Sequence, residues 1–246
     1  MRTNALKKIY SRLYESFGPQ QWWPGDSPFE IIVGAILTQN TNWGNVEKAL
    51  NNLKNENLLS PLSLNQLSHT QLARLIKPAG FFNVKAARLR NFLDYLFENY
   101  KGDLDVMAGV PAGRLRRELL SVNGIGPETA DSILLYAFHK PAFVIDAYTK
   151  RLLYRHGLVD HQADYGLMQE LFVKNLNQDT RVFNEYHALI VRIGKDYCKP
   201  RPKCEACPLK DLQYSLEHRC VRCFRFITSA DPFIKTEKGK VCQGCG

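Results

Sequence analysis

The stretch Ser27-Pro28-Phe29-Glu30, followed by IIVGAILTQ, constrains this chain's fold more than any other segment. Ser27 is placed to cap a helix, Pro28 suits the first helical position, and Glu30 stands where it closes a capping box. The helix that follows is apolar nearly all round. It has no face for water, so other elements must surround it. Those elements also read as helices. Helical periodicity recurs over residues 42–54, 83–100, 111–121, 127–137, 147–156 and 178–195, and MRTNALKKIYSRLYESFG at the N-terminus alternates charged and apolar groups at the same spacing. Alternating strand patterns are nearly absent before residue 220, and no repeat of 20–50 residues is found. The expectation is an all-α domain over residues 1–197.

The length of 246 residues suffices for one large domain or two modest ones. The net charge of +9 and a pI near 9.2 favour a polyanionic partner, without specifying an activity. No run of 18 apolar residues exists, and the N-terminus lacks the pattern of a signal peptide. No membrane association is expected, and a cytoplasmic location is.

Two local patterns carry chemistry. VNGIGPETAD, residues 122–131, joins the helical segment AGRLRRELLS to PETADSILLYA, with Pro127 at a first helical position. Gly124 and Gly126 permit positive φ and a close backbone approach, and amides there and at the second helix start can converge on a phosphate. A plain interhelical connection is the competing reading. Further on, PAFVIDAYTKRLL places Asp146 between a buried, strand-like apolar piece and a helix. That is the position of an N-cap, whose side-chain oxygen satisfies free amides.

Taken together, LTQNT, NGIGPETA, VIDAYTKR and a following CxxC resemble, in that order, the endonuclease III, helix-hairpin-helix superfamily of DNA glycosylases, over roughly residues 25–210. The resemblance implies a two-lobed helix-hairpin-helix fold with a DNA cleft between the lobes and the hairpin at 113–137. It implies that Asn123, Gly124, Ile125, Gly126, Glu128 and Thr129, with Lys150, bind DNA backbone, and that Asp146 is catalytic. Lyase members carry a lysine where this chain has Glu128. A carboxylate cannot form their Schiff base, so the resemblance implies a monofunctional enzyme; Lys150 is the nearest substitute amine.

The branch most similar is the 3-methyladenine DNA glycosylase III type, on Trp22-Trp23-Pro24, on LTQNT followed by the aromatic Trp43, and on Glu128. There the aromatics (Trp22, Trp23, Pro24, Trp43) form the base pocket and Gln39 fills the gap in the duplex. The implied partner is double-stranded DNA containing a damaged base, probed by a monomer in a bacterial or archaeal nucleoid, and the implied substrate is an alkylated purine. Two alternatives stay open: a glycosylase for oxidised, deaminated or mismatched bases, with Asn40, Asn42 and Asn83 as pocket groups, and a non-catalytic DNA-binding module. Phe81 and Phe82 are expected in the core rather than in the pocket.

All seven cysteines lie from residue 198 onwards. In a reducing compartment such clustering favours metal over disulfides. Cys198, Cys204 and Cys207 match three members of the family's [4Fe–4S] loop, C-x6-C-x2-C-x5-C. The first gap here is one residue short and the fourth position is Gln213, so Cys220 or His218 would have to serve. Cys220-x2-Cys223-x18-Cys242-x2-Cys245 has the spacing of a four-thiolate zinc site. The expectation is a cysteine loop at 198–213 and a small zinc-ribbon-like extension at 218–246.

Overall fold

The computed structural model describes residues 2–22, 25–160, 162–212, 233–237 and 239–243. In chain order its helices are α1 (Arg2–Phe17), α2 (Pro28–Leu37), α3 (Trp43–Asn55), α4 (Pro61–Gln66), α5 (His69–Leu75), α6 (Phe82–Tyr100), α7 (Leu104–Ala108), α8 (Ala112–Ser121), α9 (Pro127–Ser132), α10 (Ala147–Arg155), α11 (Tyr165–Asn175) and α12 (Thr180–Asp196). A 3-10 turn covers Lys77–Ala79 and a π-helical segment covers Ile133–Ala137. Two strands, β1 (Phe233–Thr236) and β2 (Gly239–Cys242), pair antiparallel with Phe233 opposite Cys242. The chain divides into two compact units, Trp23–Ala142 and Met1–Trp22 with Phe143–Gly246.

In the first of these units α2 is central, as its composition requires. It packs against α3, α6, α9 and the π-helical segment, and Phe29, Ile32, Val33, Ile36 and Leu37 are buried. The Ser27 hydroxyl accepts the Glu30 amide at 3.2 Å, confirming the cap. The capping box does not close on Ser27, however. The Glu30 carboxylate accepts the Asp26 amide at 3.1 Å and pairs with Lys54 Nζ at 2.7 Å, because a buried carboxylate is better stabilised by a cation than by one more amide. The predicted helix over 127–137 is α-helical only to Ser132; the π-helical turn that follows is buried throughout.

The other unit is built around aromatic rings. Phe143 stacks on Phe172 at 3.7 Å and meets Phe183 and Tyr186 edge-on, while the Tyr186 hydroxyl donates to the Leu6 carbonyl at 2.8 Å. Residues 143–145 are buried, as their apolar run suggests, but they join no helix or sheet. They deliver the chain directly to Asp146 and α10.

α10 lies closely on α12. At Gly194 of α12 a methyl group would come within 2.3 Å of the Tyr148 ring of α10, so only glycine allows this approach.

Candidate active site

Asp146 is the N-cap of α10. Its Oδ1 accepts the Thr149 amide at 2.7 Å, and its Oδ2 lies 3.5 Å from His187 Nε2 of α12. Its side chain is 14 % exposed. Burial pushes the carboxyl's pKa up, but the neighbouring His187 and the Thr149 amide outweigh it, and the net shift is below the usual carboxylate range. Capping and a reactive role are therefore compatible, since the cap occupies one oxygen and leaves the other facing an imidazole.

His187 is buried, with its ring stacked on half-exposed Trp22 at 5.7 Å and met edge-on by Phe143. Carboxylate, imidazole and indole thus form one contiguous group within a single unit. Sequence reasoning missed His187. The available signal was periodicity: it falls on the apolar face of α12 with Phe183 and Ile190, where a histidine needs a partner. Trp23 and Pro24 lie outside the described residues. Trp43, the first residue of α3, belongs to the other unit and lies against α2, with its Cη2 3.3 Å from where a Gly34 methyl would stand.

The hairpin is α8, a turn at 122–126, and α9. Val122 and Ile125 are buried and anchor the turn, while Asn123, Gly126 and Glu128 are exposed. Arg116 and Asp131 pin α8 to α9 through two hydrogen bonds of 2.7 and 3.0 Å. The two glycines differ. Gly124 has φ +94°, and a methyl there would come within 2.3 Å of Arg88 Cγ. Gly126 has an ordinary φ of −93° with nothing near a would-be methyl, which corrects the expectation that both glycines serve positive φ. No side chain caps α9. Thr129 is buried, because its hydroxyl accepts from the Gln39 amide at 2.9 Å.

Gln39 is anchored as well as expected to act. Its amide also donates to the Gly124 carbonyl at 3.0 Å, and its own carbonyl accepts from Arg88. Lys85, another residue that the sequence reading passed over, is buried one turn before Arg88. It donates to the Leu37 and Ala79 carbonyls at 2.7 Å each, holding the C-terminal end of α2 from which Gln39 follows. Phe81 overturns the expectation of a core residue: it is 70 % exposed. Its φ of +44°, following Gly80 at +70°, turns it away from the interior just before α6 begins.

Lys150 lies on the exposed side of α10 with its ammonium 6.0 Å from the centre of the Tyr165 ring.

Cys198, Cys204 and Cys207 line one cavity together with apolar Leu152, Ile193 and Leu209. Burial and the proximity of the other two thiols push the Cys207 thiol up to about 11. The Cys198 sulfur accepts from Arg155 at 3.3 Å. Among the described residues, no three His, Cys, Asp or Glu side chains gather closely enough for a single metal ion. Gln213, His218, Cys220, Cys223 and Cys245 lie outside the described residues; Cys242 is buried at the end of β2.

Comparison with known proteins matches residues 33–178 to the HhH-GPD superfamily of base excision DNA repair proteins. The chain belongs to that superfamily. It is 48 % identical over 208 residues, 84 % of this chain and 94 % of the relative, to a Methanocaldococcus jannaschii protein provisionally named a DNA repair glycosylase. It is 32 % identical to endonuclease III of Thermotoga maritima, over 75 % of this chain and 81 % of that one. Among solved structures, H. pylori 3-methyladenine DNA glycosylase bound to 1,N6-ethenoadenine superposes with a TM-score of 0.67 at 29 % identity, covering 79 % of this chain and 97 % of that one. As a member of this superfamily the chain is a helical DNA glycosylase of base excision repair. No described helix is long and apolar enough to cross a membrane.

Proposed function

We propose that this HhH-GPD protein hydrolyses the N-glycosidic bond of alkylated purines in duplex DNA and leaves the backbone intact. The observation that carries the reading is the Asp146 carboxylate, 14 % exposed and facing the His187 ring that stacks on Trp22, with one oxygen not used in capping. Departure of the base builds positive charge on the sugar, which an anion at Asp146 stabilises while it orients or deprotonates water. Its lowered pKa keeps it ionised for both tasks. His187 holds the second carboxylate oxygen in place.

The substrate class follows from the aromatic surface. A purine alkylated at N3 or N7 is cationic, its bond to sugar is already weakened, and an indole face attracts it by about 0.5–2 kcal/mol. Trp22, stacked on the His187 that faces the carboxylate, supplies such a surface; Trp23, Pro24 and Trp43 are proposed as base-pocket residues on the sequence alone. The H. pylori relative, a 3-methyladenine DNA glycosylase solved with 1,N6-ethenoadenine, supports a modified purine as the substrate. Glu128 in the hairpin supports base removal without strand cutting, and Lys150, directed at Tyr165, takes a phosphate-binding role.

The turn Asn123–Gly126, with the uncapped first turn of α9 behind it, is proposed to receive a DNA phosphate through its amides. Gln39 fills the gap in the duplex by exchanging its bonds to Gly124 and Thr129 for base edges, each such bond being worth about 0.5–1.5 kcal/mol. Phe81, exposed just before the helix whose Arg88 holds Gln39, is suited to wedge between bases.

A [4Fe–4S] cluster fits the cysteine cavity. Each thiolate of such a cluster binds a different iron, so its ligands surround a volume instead of converging on one point, as Cys198, Cys204 and Cys207 do. Zinc at Cys220, Cys223, Cys242 and Cys245 is proposed on spacing, with β1 and β2 forming the arm that carries Cys242. Both metals are structural.

The test is a panel of duplexes bearing alkylated purines, uracil, thymine glycol, 8-oxoguanine and G·T mismatches, with and without later hot alkali. Alkali-dependent breaks at alkylated purines are expected, and Asp146→Asn should lose about two orders of magnitude or more in base release. Undiminished release by Asp146→Asn with unchanged DNA binding defeats the catalytic assignment. Borohydride trapping of a covalent adduct defeats the monofunctional one.

A further inference from the structure

The three cysteines leave the proposed cluster one ligand short, and the family spacing puts the missing one at Gln213, an amide that does not ligate iron. The structure points to a replacement from another part of the chain. His156, the residue that ends α10, lines the same cavity as Cys198, Cys204 and Cys207. Its Nδ1 lies 2.5 Å from the carbonyl of Leu212, the residue immediately before the missing ligand's position. The imidazole therefore lines the cysteine cavity while bonded to the last described residue before the pattern's fourth position in sequence.

The hydrogen bond also sets the ring's chemistry. A carbonyl can only accept, so Nδ1 carries the proton and the neutral ring keeps its lone pair on Nε2. A ligating histidine typically donates its other ring N–H to a backbone carbonyl or carboxylate, which fixes the tautomer and raises the basicity of the ligating nitrogen. Arg155, next in sequence, reinforces the arrangement: it donates to the Cys198 sulfur and to the Lys199 and Pro200 carbonyls, so the end of α10 is tied to the cysteine loop from the same side.

We propose that His156 Nε2 is the fourth ligand of a Cys3His [4Fe–4S] cluster in this protein. The inference rests on the cluster reading above. It has an electrostatic consequence: a neutral imidazole in place of a thiolate makes the site one charge less negative and raises its reduction potential, as histidine ligation does in other iron–sulfur centres.

The experiment uses the full-length protein, purified anaerobically and assayed for iron, sulfide and, after reduction, nitrogen hyperfine coupling by pulsed EPR. About four irons per chain and a coupling that changes on 15N-histidine labelling are expected. His156→Cys should keep the iron, lose the nitrogen coupling and lower the reduction potential. His156→Phe should lose at least one iron per chain. An iron-free wild-type protein overturns the cluster reading itself. Full iron with no nitrogen coupling overturns the His156 assignment alone. Because the coupling is read on the unmutated protein, a folding failure of any variant does not blunt the test.

Discussion

The two glycines of the hairpin should respond in opposite ways to the same added methyl group. At Gly124 an alanine must adopt φ +94°, a left-handed backbone that costs an L-residue about 1–2 kcal/mol. Its methyl would also stand 2.3 Å from Arg88 Cγ and 2.9 Å from Cδ, the inner part of that side chain, so Arg88 has to move. Overpacking of this kind costs about 1–3 kcal/mol. Displacing Arg88 further loosens its bond to Gln39, the residue proposed to fill the gap in the duplex. These effects overlap, and a total of about 2–5 kcal/mol is expected. At roughly 2–4 °C per kcal/mol for a chain of this size, Gly124→Ala should melt about 4–20 °C lower.

Gly126→Ala meets no atom and needs no unusual dihedral. Its smaller unfolded-state entropy favours folding by about 0.4–1 kcal/mol, offset by alanine's poorer rank as an N-cap. Stability should stay within about 0.5 kcal/mol of wild type. Its methyl instead protrudes where a phosphate is proposed to approach, and affinity for a fluorescein-labelled duplex, read by anisotropy at fixed salt, should fall about tenfold or about 1.4 kcal/mol. Calorimetry and anisotropy on both variants separate the two roles. The reasoning is refuted if Gly126→Ala is destabilised as much as Gly124→Ala, or if it binds duplex DNA like wild type.

Other perturbations probe the remaining contacts. Asp131→Ala leaves Arg116 without its bidentate partner inside the hairpin and should cost about 3–5 kcal/mol by chemical denaturation; a loss under 1 kcal/mol contradicts the geometry. If His187 acts through Asp146, His187→Phe should slow single-turnover base release in the wild-type background and add nothing in Asp146→Asn. Equal effects in both backgrounds would make it purely structural.

Acid stability offers a further check. The Asp146 carboxyl is depressed in the folded protein, so its contribution is present above the unfolded value of about 3.9 and is lost as pH falls through the folded one. The stability gap between wild type and Asp146→Asn should accordingly shrink on acidification through that range; a gap that widens reverses the sign assigned to His187.

Much of the fold was legible in the sequence because its signals are local. Periodicity located α3, α6, α8, α10 and α12 nearly to the residue, and the uniformly apolar run foretold that α2 would be central. The short helices α4, α5 and α7 were missed, since one or two turns carry too little pattern to stand out, and so was α11, whose apolar residues form no clear stripe. The N-cap at Asp146 was readable for the same reason as the one at Ser27: a cap is set by its own few residues. Its neighbour His187 was not, lying 41 positions away in sequence and brought near only by the close seating of α10 on α12.

Residue types and their spacing alone therefore determined the helical class, the hairpin, the candidate carboxylate and the grouping of cysteines. Tertiary packing decided everything that depends on what faces what. It anchored Gln39 to Gly124 and Thr129, turned Phe81 outward, gave the hairpin's two glycines different duties, and set His156 among three cysteines. Backbone propensity and capping act over a few residues, whereas the partner of a buried polar side chain is chosen by the whole chain closing around it.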